Sequence, residues 1–216
     1  TKPIDLKELA LVVAKLLQHQ RVVDNLDYFK SRERATSGVA TLLGPSPQME
    51  EIRGKVTRLA RSTAIAGEFP PSVLITGETG TGKDLLARAI HYEGPRAAMP
   101  FVHVNCTAVP DELFEAELFG HVKGAFTSAA STKKGLMEIA DGGTIFFDEI
   151  GHMKTSLQSK LLTALEHRTI RPVGGTKERK VNVHVISATN RDLQTAIDIG
   201  EFRSDLFHRL RVVPIE

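Results

Sequence analysis

Residues 72–94 constrain the fold more than any other stretch. The short apolar run SVLITG (72–77) leads directly into GETGTGKD (77–84), and the helical pattern KDLLARAIHYEG (83–94) begins directly after the last of its glycines. A glycine, four residues, then Gly82 and Lys83 at a strand-to-helix junction is the spacing of a phosphate-binding P-loop. Glycines let consecutive backbone N–H groups turn toward phosphate oxygens. The helix N-terminus adds its positive end. Gly77, Glu78, Thr79, Gly80, Thr81, Gly82 and Lys83 are therefore expected to line a nucleotide site, with the Lys83 charge on the outer phosphates. Asp84 stands where the generic motif has a magnesium-ligating Ser or Thr. Its carboxylate either complements the helix dipole or holds a water of the metal, so the metal must be held mainly from elsewhere.

A P-loop needs a parallel sheet behind it, and the rest of the chain supplies the strands. FVHVNC (101–106), GTIFFDE (143–149), VHVISATN (183–190) and RVVPIE (211–216) are short, β-branched and apolar, with little alternation. Helical patterns such as SLQSKLLTALEHR (156–168) separate them. Strands alternating with helices predict an α/β fold, a five-stranded parallel sheet flanked by helices and buried on both faces. RPVGGTKERK (171–180), with its Gly-Gly turn signal and charge run, reads as a β-hairpin excursion.

Ligands sit at the C-terminal ends of parallel strands, so the residues that end these runs are the candidates for chemistry. Asp148 and Glu149 end GGTIFFDE. Asp148 is the expected Mg²⁺ partner, and Glu149 is placed to polarise an attacking water. Thr189 and Asn190 end ISATN and are expected to reach a γ-phosphate or its water. Arg203 and Arg209, in FRSDLFHRL (202–210), are candidates for stabilising the spread charge of phosphoryl transfer. The cofactors implied are ATP and Mg²⁺. Cys106 follows a strand and reads as a small core residue. His152 and His208 lie near these motifs, but no pair of the eight histidines has a zinc spacing, so no zinc is expected.

KGAFTSA (123–129) has no helical or strand period and reads as a loop with Phe126 at its tip. An aromatic there is costly in water unless a partner covers it. Taken in order, GETGTGKD, ELFGHVKGAFTSA, GGTIFFDEIG, ISATNRDL and FRSDLFHRLRVV resemble the AAA+ ATPase domain of bacterial enhancer-binding proteins, the activators of sigma-54 RNA polymerase. The resemblance runs from about residue 41 to the last residue. It implies an AAA+ core that hydrolyses Mg-ATP as a hexameric ring and remodels the sigma-54 polymerase complex. The loop Gly124, Ala125, Phe126, Thr127, Ser128 and Ala129 would engage sigma-54, with Ser128 in place of the family's second glycine. An acidic residue after the P-loop lysine is usual in that family, so Asp84 fits it. Asn105 matches a switch asparagine that restrains the catalytic glutamate, here Glu149. Arg203 and Arg209 match arginines that reach the neighbouring subunit's nucleotide. LLGPSPQM (42–49) matches the turn beside the adenine, which assigns Leu43 and Gly44 to nucleotide binding. STAIAGEFPP (62–71) is longer than the family norm and has no role in this reading.

Residues 1–30 read as the end of a response-regulator receiver domain and a long linker helix over 4–29, with Asp5 and Glu8 as a capping box. Leu9, Val12, Leu16, Val23 and Leu26 fall at spacings of three and four, so the helix either packs on its own domain or dimerises the protein. Residues 31–40 read as a linker, and 41–216 as the α/β subdomain of the ATPase. The chain begins at Thr1 and stops just after a strand. It is expected to be part of a longer protein, with a helical lid and a DNA-binding domain beyond it; DNA would be bound only through that missing domain. One cysteine excludes an intrachain disulfide and points to a reducing, cytoplasmic setting. No stretch reaches the roughly 20 apolar residues of a membrane helix, and a net charge of +2 is no argument for nucleic acid by itself. Two other readings stand: a different AAA+ remodelling ATPase, which would lack GAFT, and a nucleotide-binding module without turnover, which would not need Glu149 and the two arginines.

Overall fold

The computed structural model describes residues 37–39, 42 and 44–216, apart from 109 and 128. The linker helix expected over 4–29 and its seam lie outside the described residues, as do Leu43 and Ser128. The first described helix, α1 (Pro47–Ala60), starts where the sequence dictates: Ser46 accepts a hydrogen bond from the Met49 amide, and Pro47 opens the first turn. A short α2 (Thr63–Ala66) follows, then β1 (Val73–Thr76), α3 (Lys83–Tyr92), β2 (Phe101–Asn105), α4 (Asp111–Phe119), and a ribbon of β3 (Gly120–His121) with β4 (Lys133–Lys134). After α5 (Leu136–Ile139) come β5 (Thr144–Asp148), a 3₁₀ turn at Ile150–His152, α6 (Thr155–His167), and a hairpin of β6 (Thr169–Ile170) and β7 (Arg179–Lys180). The chain continues through β8 (His184–Thr189), α7 (Leu193–Asp198), α8 (Ser204–Leu210) and β9 (Val213–Ile215).

The main sheet has the order β2–β5–β8–β1–β9, with every neighbour parallel. All five strands expected from the apolar runs are present, as is the hairpin. Along β5, Ile145 and Phe147 face one core while Phe146 faces the other; along β1, Leu74 and its neighbours Val73 and Ile75 divide the same way. Burial on both faces is why these strands lack polar alternation. One core lies under α4, α6 and α8, and the other under α1 and α3. Phe146 and Phe147 are fully buried, and truncating either would cost about 3–5 kcal/mol. The register sets Thr76 beside Thr189 and Asn105 beside Asp148, so the polar residues that end the strands meet at one edge.

The opposite edge accounts for the 62–71 segment. Arg96, only 6% exposed, donates through Nε to Ile65 O, through Nη1 to Gly143 O and Asn182 O, and through Nη2 to Gly67 O and Asn182 Oδ1. Gly143 immediately precedes β5 and Asn182 lies two residues before β8, so the guanidinium pins the insert to the N-terminal ends of the strands, away from the P-loop. His184 adds a contact from Nε2 to Pro71 O at 3.1 Å. Among the described residues, no helix is long and apolar enough to cross a membrane.

Candidate functional site

The P-loop is built by two glycines on the left-handed side of backbone space. Gly82, at φ +88°, caps α3, where an L side chain would be strained, and Gly80 sits at φ +83°. Lys83 is 9% exposed and folds back on the loop, with Nζ 2.9 Å from both Gly77 O and Glu78 O. Thr81 Oγ1 donates to Glu78 O at 2.8 Å. The loop is thus held from its own side chains, with an ammonium at its centre. Beside it, Leu42, Met49, Ile52, Ile75, Leu86 and Ile215 form an apolar cleft of about 240 Å³ that ends at Gly77 and Lys83. A flat heteroaromatic base fits such walls. Gly44, at φ +132°, does lie in the turn next to this cleft, and Arg53 Nη1 fixes the turn by bonding Leu42 O and Gly44 O. Nothing in the sequence around Arg53 marks it for this role.

At the end of β5, Asp148 and Glu149 diverge. Glu149 has φ +54°, an uncommon conformation for a non-glycine residue, and its N–H donates to Asp148 Oδ1 at 3.0 Å. Glu149 Oε2 is buried with no hydrogen-bond partner; His152 Nδ1 stands 3.7 Å away, beyond bonding distance. Asp84 accepts from Arg88 Nε at 2.9 and 3.1 Å, and its carboxyl is raised above its ordinary value, first by burial and then by the Asp148 charge. His103 on β2 lies between these acids, 4.0 Å from Asp84 Oδ1 and 3.8 Å from Asp148 Oδ2. Cys106 is buried behind them, its thiol pushed up to about 12 by burial and by the charges of Asp148 and Glu149.

Two placements differ from expectation. Asn190 meets the P-loop, donating from Nδ2 to Thr79 Oγ1 at 3.0 Å. Thr189 does not: its hydroxyl is fully buried, accepts from the Arg191 amide, and packs where a Cβ on Gly151 would come within 2.8 Å. Successive side chains on a strand point to opposite faces, so only one of the two can face the loop; Thr189 touches it by its backbone, its carbonyl accepting from Gly77 N at 3.2 Å. Asn105 Oδ1 accepts from Thr107 N and Thr107 Oγ1 at 2.8 and 2.7 Å. Among the described residues no hydrogen bond joins Asn105 to Glu149. Arg203 rests on Asp205 and Ser159, and Arg209 donates to Leu165 O at 3.0 Å. Both arginines therefore lie on the α6 side of α8, while Phe207 and Arg211 line a second cleft, together with Gly77 and Asn190.

Phosphate cradle, paired acids and strand-end asparagine sit on one rigid edge, and a loop projects from the same core between β3 and β4. The description of one family, the Sigma-54 interaction domain, matches residues 42–216. The chain belongs to the Sigma-54 interaction domain family. It is 46% identical to the regulatory protein AtoC of Escherichia coli, over 98% of this chain and 44% of AtoC. It is 43% identical to the response regulator protein PilR of Pseudomonas aeruginosa, over 100% of this chain and 45% of PilR. The crystal structure of NtrX from Brucella abortus superposes with a TM-score of 0.77 at 36% identity, covering 99% of this chain and 44% of NtrX. NtrX in complex with ATP gives 0.74. The chain spans less than half the length of these relatives, and its fold is the P-loop AAA+ fold.

In this Sigma-54 interaction domain the GAFTSA loop is supported from an unforeseen direction. The Gly-Gly turn between β6 and β7 runs alongside it: Val122 N donates to Val173 O, and Val173 N to Gly120 O, at 3.1 and 2.8 Å. A Cβ on Gly174 would fall 2.8 Å from Ala125 Cβ, so the close approach requires glycine there. Gly124 N donates to Ala129 O and Ala129 N to Phe126 O, closing the loop on itself. Phe126 is not free at the tip as expected. It is half-buried, its ring edge-on to His121 at 5.0 Å, while Thr127 is exposed.

Proposed function

We propose that this domain binds and hydrolyses ATP as one subunit of a ring, in the cytoplasm, and that hydrolysis drives the GAFTSA loop to remodel the sigma-54 RNA polymerase closed complex. The observation that carries the turnover reading is the free Oε2 of Glu149. A buried carboxylate oxygen without a partner, on the residue that follows Asp148 at the end of a strand of the main sheet, is what a water-activating base requires. A module that used nucleotide only as a structural ligand would have no need to keep this oxygen unpaired. The loop sequence and the match to the Sigma-54 interaction domain support sigma-54 as the partner over other AAA+ substrates.

The residues fit ATP with Mg²⁺. Lys83 and the P-loop amides would hold the phosphates, and the apolar cleft the adenine. Among the described residues no three His, Cys, Asp or Glu side chains converge on a metal position. Mg²⁺ is therefore expected to bind through Asp148, with Asp84 holding a coordinated water and phosphate and water oxygens completing the shell. When bound, the ion would neutralise charge on the phosphates. Asn190 would sense the outer phosphate from its place against Thr79. Asn105 would restrain Glu149 in one nucleotide state after releasing Thr107. Arg203 and Arg209, which rest on α6 residues and Asp205, would serve the nucleotide of the next subunit of a hexamer.

Glu149→Gln keeps the shape of the site and removes the base. It should bind ATP with unchanged affinity and lose about 10²–10⁴-fold in turnover, read by single-turnover hydrolysis beside equilibrium nucleotide binding. Turnover within a few-fold of the unsubstituted protein would exclude Glu149 as the base.

A further inference from the structure

Gln158 occupies a core position of α6 among Leu157, Leu161, Ala164 and Leu165, and it is fully buried. A carboxamide there is costly unless it is bonded. Its Nε2 donates to Met153 O at 2.7 Å and to Glu201 O at 2.9 Å, and its Oε1 accepts from the Arg203 amide at 2.8 Å. One side chain thereby ties the segment that follows Glu149 to the loop that carries Arg203. Arg191 makes a parallel tie, donating to Gly151 O at 2.8 Å and pairing with Glu201. It adjoins Asn190, which is bonded to the P-loop.

We propose that Gln158 is a positioning residue for Arg203, holding the arginine's backbone in register with the Glu149 segment so that the guanidinium meets the neighbouring subunit's nucleotide. The inference rests on the reading above that Arg203 acts across the ring. The loop has other anchors: Glu201 N and Phe202 N both bond Ala196 O, and Phe202 is buried. Those bonds fix the loop on α7. Among the described residues, Gln158 alone fixes the Arg203 amide, and the next residue of α6, Ser159, accepts from the Arg203 side chain at 3.3 Å. Backbone and guanidinium thus rest on one turn of α6. Any shift of Met153 that accompanies a change at Glu149 would reach Arg203 through two hydrogen bonds. Misplacing a catalytic group by about 1 Å costs on the order of 10²-fold in rate.

The test uses the natural full-length protein in mixed rings. Subunits carrying Lys83→Ala lack a working site but keep Arg203; subunits carrying Arg203→Ala keep the site and lack the arginine. Each alone should be inactive, and mixing them should restore ATP turnover at one class of interface. Gln158→Met, which fills the same volume without the hydrogen bonds, is then added to one subunit or the other. In the Lys83→Ala subunit it should lower the restored kcat by about 10- to 100-fold with KM unchanged. In the Arg203→Ala subunit the loss should be about tenfold smaller or less. Equal losses in both placements would reduce Gln158 to a structural residue and overturn the proposal, as would no loss in either. If mixing without Gln158→Met restores nothing, the trans role of Arg203 has failed, and the positioning role falls with it.

Discussion

The Lys83 ammonium lies within hydrogen-bond distance of two carbonyls of its own loop, and the Glu149 carboxylate has an oxygen with no partner. These two placements frame the chemistry, and both were legible in the sequence. Lys83 follows from the glycine spacing, and Glu149 from two acids ending an apolar run. Thr189 was read less well, because a strand end gives the residues but not their faces; alternation points one of each adjacent pair away from the site. Gln158, Arg191 and Arg96 were not singled out at all. A glutamine or arginine in a helix or turn looks like solvated surface until the tertiary fold buries it, although Gln158 did fall on the apolar stripe of SLQSKLLTALEHR. For Phe126 the loop residues point to a sigma-54 partner, whereas the half-buried ring set edge-on to His121 is a contact that they do not reveal. Phe126→Ala should keep ATP turnover within about twofold and abolish sigma-54 engagement, since interface anchors are few and carry most of the energy. Engagement that persists would remove Phe126 as the anchor.

Elements on the far edge of the sheet carry the stability of the domain more than its chemistry. α3, β5 and β8 bring His91 and His184 into the interior beside Arg96. His91 bonds Thr144 Oγ1 at 2.9 Å and His184 bonds Pro71 O, but His91 Nε2 and His184 Nδ1 have no partner. Burial, with Arg96 adding to it, lowers His91 to about 4 and His184 to about 3. An unfolded histidine takes up its proton near pH 6.5, so the unfolded chain binds more protons below that pH. Stability should therefore be full above about pH 6.5 and fall by roughly 1.4 kcal/mol per pH unit per histidine on the way to pH 4. Urea midpoints from pH 7.5 to 5 check this; a slope unaffected by His91→Gln with His184→Gln would contradict it. On the same edge, Arg96→Ala removes the clamp on 62–71 and leaves buried carbonyls unpaired, which should cost about 3 kcal/mol or more. A loss under about 1 kcal/mol in chemical denaturation would mean the insert is held by its own packing. The strands and the hairpin were readable from periodicity and turn residues. The docking of the hairpin's Gly-Gly turn against the GAFTSA loop was not, because such contacts join residues about fifty positions apart.

At the scale of the whole molecule, the α/β core at 41–216 is proposed to work in a larger protein. Residues 1–30 are proposed as the end of a receiver domain with a linker helix, and 31–40 as a linker. A dimer through that helix would hold the domains out of a ring, so removing residues 1–30 should raise both self-assembly and the ATPase rate; no change in either would refute the restraint. Nucleotide chemistry at the P-loop is proposed to control the hold on sigma-54. The most direct measurement is binding of purified sigma-54 to the full-length protein with ADP–aluminium fluoride, which mimics the transferring phosphoryl group, against nucleotide-free protein. A complex should form only with the mimic and should be abolished by Phe126→Ala. Absence of a complex while ATP is still turned over would contradict the proposal and assign this AAA+ core to a different partner.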